Sequence, residues 1–202
     1  MSITNKIGEC ILDIDKSANI YPNVTLLGKV SIGANCTILS GSVIKNSIIG
    51  ENSIIKSSYI EESCIGSNVT IGPFAHIRPG SIIENNCKIG NFVEVKNSRL
   101  SEGTKASHLA YIGDAEIGKN CNIGCGAIFV NYNGKEKQHT RVGNNCFIGS
   151  NCNIIAPVNI KDNSYICAGT TLTIDTNEFD FVIGRCRETI KPNHAKKYFK
   201  KD

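Results

Sequence analysis

Residues 65–95 read IGSNVTIGPFAHIRPGSIIENNCKIGNFVEV, and in them Ile65, Ile71, Ile77, Ile83, Ile89 and Val95 recur at every sixth position. A period of six matches neither the 3.6 of an amphipathic helix nor the 2 of a single long strand. It fits short strands separated by turns. Three such units make a triangular coil of about 18 residues, in which each aliphatic lands inside and stacks on its equivalent roughly 4.8 Å away. The spacing predicts an all-β fold, a parallel β-helix whose core is a set of aliphatic ladders.

The same register runs outward in both directions. Ile20, Leu26, Ile32, Ile38 and Ile44 precede the stretch, Ile117 and Ile123 carry it through the middle, and Val142, Ile148, Ile154, Ile160, Ile166 and Leu172 follow. The expected organisation is an N-terminal cap or linker at 1–17, a β-helix at 18–175 and a basic tail at 176–202. A chain of 202 residues suits one domain. With 41% hydrophobic residues but only 6% aromatics, its core is built from Ile, Val, Leu and Ala. Open ends of such a solenoid expose strand edges and need caps; NKIGECILDIDK (5–16) and the tail are the candidates.

The ten cysteines raise the question of disulfides or zinc. The repeat answers it: Cys36, Cys64, Cys87, Cys121, Cys146 and Cys152 fall four places after a repeat aliphatic, and no pair has C-x-x-C spacing. They are expected as small buried fillers. The net charge is +4, with the excess gathered in RCRETIKPNHAKKYFKKD (185–202). The basic run reads as a solvated end rather than a nucleic-acid site. No apolar run reaches membrane-spanning length and MSITNKIGEC lacks a signal peptide's hydrophobic region, so the expectation is a cytoplasmic protein.

Two interruptions of the repeat are the candidate functional regions. SRLSEGTKASHLAY (98–111) contains His108, and VNYNGKEKQHT (130–140) is a polar excursion that cannot form a coil face. Arg78 and Lys96 are 18 residues apart and so stack at one place on successive coils. Either they are two solvated cations, or they repel until an anion such as a phosphate neutralises them. His108 is either structural or a general base, its ordinary pKa of about 6.5 suiting proton removal from an amine.

The ordered set IGPFAHIRPG, IGNFVEVKNS, KASHLAYIGDAEIG, NIGCGAIFVNYNGKEKQHT, IGSN, APV and AGTT resembles the acetyltransferase domain of the bacterial bifunctional N-acetylglucosamine-1-phosphate uridyltransferase and glucosamine-1-phosphate acetyltransferase, from about Gly8 to Lys197. The resemblance implies a left-handed parallel β-helix and a homotrimer with active sites between subunits. It also implies an enzyme that uses acetyl-CoA to acetylate glucosamine 1-phosphate, in UDP-N-acetylglucosamine and cell-wall precursor biosynthesis. By it, His108 is the catalytic base, acting by direct transfer with no acyl-enzyme and no metal. Arg78, Lys96, Tyr111 and Asn122 hold the sugar phosphate, and Glu94 orients the sugar or the base. Asn131, Tyr132, Ser150, Ala168 and Arg185 match acetyl-CoA residues, Lys137 joins them near the CoA phosphates, and Cys125 stands beside the acetyl-CoA where the family usually has Ala. Ser107, Ala110 and Asn133 are further departures from common family residues.

Nothing in the chain resembles the Gly-rich nucleotidyltransferase loop of the bifunctional proteins, so it is not expected to make UDP-N-acetylglucosamine. Three rival readings differ in what they need. A metal enzyme on this scaffold needs converging histidines, but His76, His108, His139 and His194 include no close-spaced pair. A non-catalytic scaffold needs only the ladders, and an acetyltransferase for another amino sugar needs no anomeric phosphate.

Overall fold

The computed structural model describes residues 5–199. It is a parallel β-solenoid: Asn5–Ile14 pairs in parallel with Thr25–Ile32 at the N-terminal end, and parallel pairing then continues coil by coil to Phe181–Val182, which pairs with Tyr165–Ile166. That last rung lies within the stretch expected as tail. Beyond it the chain is exposed and forms a short 3₁₀ helix, His194–Tyr198.

Each coil contributes to three faces. The first face includes Tyr59–Glu61, His76–Ile77, the end of Lys88–Lys96, the end of Lys105–Gly113 and Ile128–Val130. The second includes Thr70–Ile71, Asn122–Ile123, Phe147–Ile148 and Tyr165–Ile166. The third includes Cys64–Ile65, Ile82–Ile83, Arg99–Leu100, Ala115–Ile117 and Thr140–Val142. Thr70↔Lys88 and His76↔Glu94 are paired at the expected separation of 18 residues.

The repeat aliphatics point inward: Ile38, Ile44, Ile55, Ile71, Ile77, Ile83 and Ile89 are fully buried. Each such side chain contributes about 1.5–3 kcal/mol by leaving water. Two places before each sits a small buried residue. Several of the polar ones donate to a carbonyl of the next coil: Ser53 Oγ to Gly66 O at 2.9 Å, Thr104 Oγ1 to Gly118 O at 2.7 Å, Cys36 Sγ to Gly50 O at 3.0 Å, Cys121 Sγ to Gly143 O at 3.0 Å. Ser, Thr and Cys share the slot because all are small and all can donate. Burial raises the Cys36 and Cys152 thiols and pushes Cys87 up to about 11, which leaves these thiols unreactive.

Cys64 departs from the expectation. It is exposed, because Ile60 and Ile65 are separated by five residues rather than six. The shortened unit moves Ser63 into the filler slot, where its Oγ donates to Arg78 O at 2.9 Å, and turns Cys64 outward beside Ile65.

The three corners between faces are made by residues in the left-handed region. Asn35, Asn52, Asn68, Asn86, Asn120, Asn145 and Asn163 fill the first corner, between the third and second faces. The second corner, between the second and first faces, carries Ser57, Phe74, Phe92, Leu109 and Asn151. The third, between the first and third faces, carries Asn46, Glu62, Asn97 and Asp114.

Candidate active site

His108 is exposed and sits immediately before Leu109 at the second corner. The parallel register Asn91↔His108 brings the two side chains together, Nδ1 lying 3.0 Å from Asn91 Oδ1. An amide oxygen only accepts, so this contact fixes the proton on Nδ1 and leaves the Nε2 lone pair of the neutral ring facing outward. That is the arrangement a general base needs.

The same register extends the line. Tyr111↔Ile128, Ile128↔Asn153 and Asn153↔Thr171 are paired. Counting back along each coil, His108, Cys125, Ser150 and Ala168 occupy one column along the second corner. All four are exposed. At about 4.8 Å per coil they span roughly 14 Å, and at the far end Arg185 Nη1 donates to Ala168 O at 3.0 Å. The predicted base and four of the predicted acetyl-CoA residues therefore form a straight track with a cation at its end.

A second group gathers on the first face, toward the third corner. Arg78 Nη1 donates to Glu94 Oε1 at 2.8 Å. Lys96 Nζ lies 3.0 and 3.1 Å from the two oxygens of Asp114, whose side chain is only 8% exposed. Asn97 Nδ2 donates to Asp114 Oδ1 at 2.7 Å, and Asn131 Nδ2 donates to Asp114 Oδ2. Asn131 Nδ2 is also 3.4 Å from the Tyr111 hydroxyl. Burial opposes the Asp114 charge, but donation from Asn97, Lys96 and Asn131 outweighs it and holds this carboxyl below the ordinary range.

Arg78 and Lys96 thus stack as the spacing predicted, yet each already has a carboxylate beside it. The surplus charge comes from the excursion, which folds back through a Tyr132↔Lys137 bridge and a Gln138 N to Asn131 O bond of 2.7 Å. The Lys137 ammonium comes against Lys96, whose charge pushes the Lys137 pKa below the ordinary lysine value. Burial works against the Lys96 ammonium too, but the Asp114 carboxylate beside it keeps its pKa raised. Three cations meet two carboxylates here, and the excess is what an anion would neutralise.

The remaining expected residues are dispersed. Asn122 pairs with Lys105 and Phe147 on the second face, across the second corner from Tyr111. Tyr132 is exposed and its hydroxyl donates to Gly134 O at 2.8 Å. Asn131 is buried, its amide already engaged by Asp114 and Tyr111. Glu94 engages Arg78, and the side chain beside His108 is that of Asn91, which sequence reasoning did not single out. Asn91 had no signal in the sequence, since its partner is a coil away. Asp114 and Asn97 were also missed, although an aspartate at a corner that the two preceding coils turn with Gly80 and Asn97 was a usable signal.

Among the described residues no three His, Cys, Asp or Glu side chains converge on a common point, and no helix is long and apolar enough to cross a membrane.

Comparison with known proteins places this geometry. A family model described as the GMPPB C-terminal domain matches residues 7–83, and one described as the hexapeptide repeat of succinyl-transferase matches residues 139–173. The chain is 51% identical over 183 residues to the bifunctional protein GlmU of Clostridioides difficile, covering 91% of this chain and 40% of that protein. It is 49% identical over 182 residues to the GlmU of a Geobacillus strain, covering 90% and 40%. The chain spans about two fifths of the length of these curated relatives. An Arabidopsis UDP-N-acetylglucosamine acyltransferase structure superposes with a TM-score of 0.55 at 18% identity, covering 83% of this chain and 67% of that one, a likeness of fold.

Proposed function

Because the chain belongs with the GlmU-type bifunctional enzymes, as the counterpart of their left-handed hexapeptide-repeat domain, we propose that it transfers the acetyl group of acetyl-CoA to the 2-amine of glucosamine 1-phosphate. The observation that carries this reading is the column of His108, Cys125, Ser150 and Ala168 ending at Arg185. A track one residue wide and several coils long suits an extended thioester with phosphates at one end and its reacting carbon at the other. Exposed, uncharged Cys125, Ser150 and Ala168 line the middle, and Arg185 meets the anionic end.

His108 Nε2 removes a proton from the acceptor amine as the nitrogen attacks the thioester carbonyl, while Asn91 holds the ring in the tautomer that makes this possible. Arg78 and Lys96 receive the anomeric phosphate, with Glu94 and Asp114 keeping them in place between turnovers. Lys137, set near the CoA phosphates by the resemblance, lies against Lys96 instead and joins this phosphate site. Asn122 approaches the acceptor from the second face.

The site is completed by other copies in a homotrimer. Phe74, Phe92 and Leu109 form an apolar ridge along the second corner beside His108, 61%, 57% and 56% exposed, with the two Phe rings stacked at 5.7 Å. Large apolar side chains in left-handed conformation are costly at a solvated corner; a neighbouring copy that covers them removes the exposure and closes the track. Both substrates are phosphorylated and do not cross bilayers unaided, so the reaction is cytoplasmic.

The test is thiol release from acetyl-CoA with glucosamine 1-phosphate against unphosphorylated glucosamine. Turnover with the phosphorylated sugar alone is expected. Equal turnover with both would assign the chain to another amino sugar, and none with either would leave it a scaffold.

A further inference from the structure

Asp114 stands at the third corner, where the preceding coils place Asn97, Gly80, Glu62 and Asn46 in the same left-handed backbone. The turn itself therefore does not require a carboxylate, and burying one is costly unless it is fully hydrogen-bonded. Here it is. The side chain accepts from Lys96 and Asn97 on the preceding coil and from Asn131 at the start of the excursion. The backbone of the same residue donates to Lys96 O at 3.0 Å and accepts from Thr140 N at 3.2 Å, at the end of the excursion. Adjacent Gly113 leaves the room: a β-carbon there would overlap the Tyr111 hydroxyl and come within 2.8 Å of Asn131 Nδ2. An amide at position 114 has one acceptor oxygen and no charge, and could not serve all three donors at once.

We propose that Asp114 is a positioning residue that couples the two substrate subsites, by holding Lys96 of the acceptor's phosphate site and Asn131 of the acetyl-CoA site on one carboxylate. This rests on the acetyl-transfer reading for the role of Lys96, and on the family resemblance that goes with it for that of Asn131. When a phosphate draws the Lys96 ammonium, the acceptor capacity released on Asp114 goes to Asn131 and tightens the root of the excursion. Each ligand therefore raises the affinity for the other, and by the same factor. Removing the Asp114 charge also takes away the group that favours the Lys137 ammonium against Lys96.

Free coenzyme A and glucosamine 1-phosphate form no product, so both can be titrated calorimetrically at equilibrium, each alone and each with the other saturating. The wild type is expected to bind each about fivefold or more tightly in the presence of the other. Asp114→Asn should bind both more weakly and bring that factor to near one, whereas a merely structural defect would weaken both and leave the factor intact. If Asp114→Asn does not fold, Asn131→Ala supplies the same reading, since it removes one of the two coupled donors and leaves the carboxylate. Wild-type protein that binds both ligands without mutual effect, or Asp114→Asn that keeps the full factor, overturns the coupling while leaving the acetyl-transfer reading standing. Wild-type protein that binds neither ligand overturns both.

Discussion

The first and second corners ask the same backbone of their residues and receive different side chains. Asn52, Asn68, Asn86 and Asn120 at the first corner have φ of 57°, 58°, 62° and 54°, which asparagine tolerates better than other residues with a side chain. Phe74 and Phe92 at the second corner have φ of 57° and Leu109 has 35°, where bulky residues are strained, and all three are exposed. The chain keeps the inexpensive solution along the corner that does nothing further. It abandons that solution for three successive coils beside Asn91 and His108. The departure ends at Leu109, where the proposed track toward Arg185 begins; along the track itself the corner returns to Gly126, Asn151 and Gly169.

Four substitutions sharpen or break this contrast. The largest effect on stability belongs to neither corner but to the ladders: Ile77→Ala should cost about 2–5 kcal/mol in thermal unfolding, because the close-packed coil cannot collapse around the void. Phe92→Asn comes next. It should relieve about 1 kcal/mol of backbone strain in the isolated chain while abolishing self-association in sedimentation and lowering turnover with it; a variant that stays trimeric would remove the ridge from the account. Asn52→Ala, the matching change at the first corner, should lose about 1 kcal/mol and leave association and turnover as they were.

The smallest effect is on pH dependence. Lys137 titrates below the ordinary lysine range because Lys96 opposes its charge. As pH rises through that lowered value the third cation is lost, so the KM for glucosamine 1-phosphate should climb on the alkaline side. Lys137→Met should raise the KM at neutral pH and flatten that rise.

What could be read from the sequence follows the range of the interactions. The ladders were legible because each rung is a local six-residue statement repeated many times, and a shortened unit at Ile60 to Ile65 was enough to misplace Cys64. His108 stands out because 98–111 reads as a break in the repeat, but the coil continues there, with Leu100, Ala106 and Ile112 buried in the ladders and Lys105–Gly113 in regular parallel register. Only the excursion at 130–140 leaves the coil. Asn91 was not, since its contact depends on parallel register between Lys88–Lys96 and Lys105–Gly113 and nothing local announces it. The stacking of Arg78 over Lys96 followed from an interval of 18, but Glu94 and Asp114 neutralising them, and Lys137 folding back against Lys96, required the path of the excursion.

The most direct measurement of the central claim, that the second corner carries the reacting group, is the rate of thiol release with glucosamine 1-phosphate for His108→Ala against wild type, with the oligomer and the melting temperature checked in parallel. The expected result is a fall in kcat of about 10²–10⁴ with both controls unchanged. Turnover that survives the substitution would make His108 an ordinary corner residue and move the chemistry elsewhere on the solenoid.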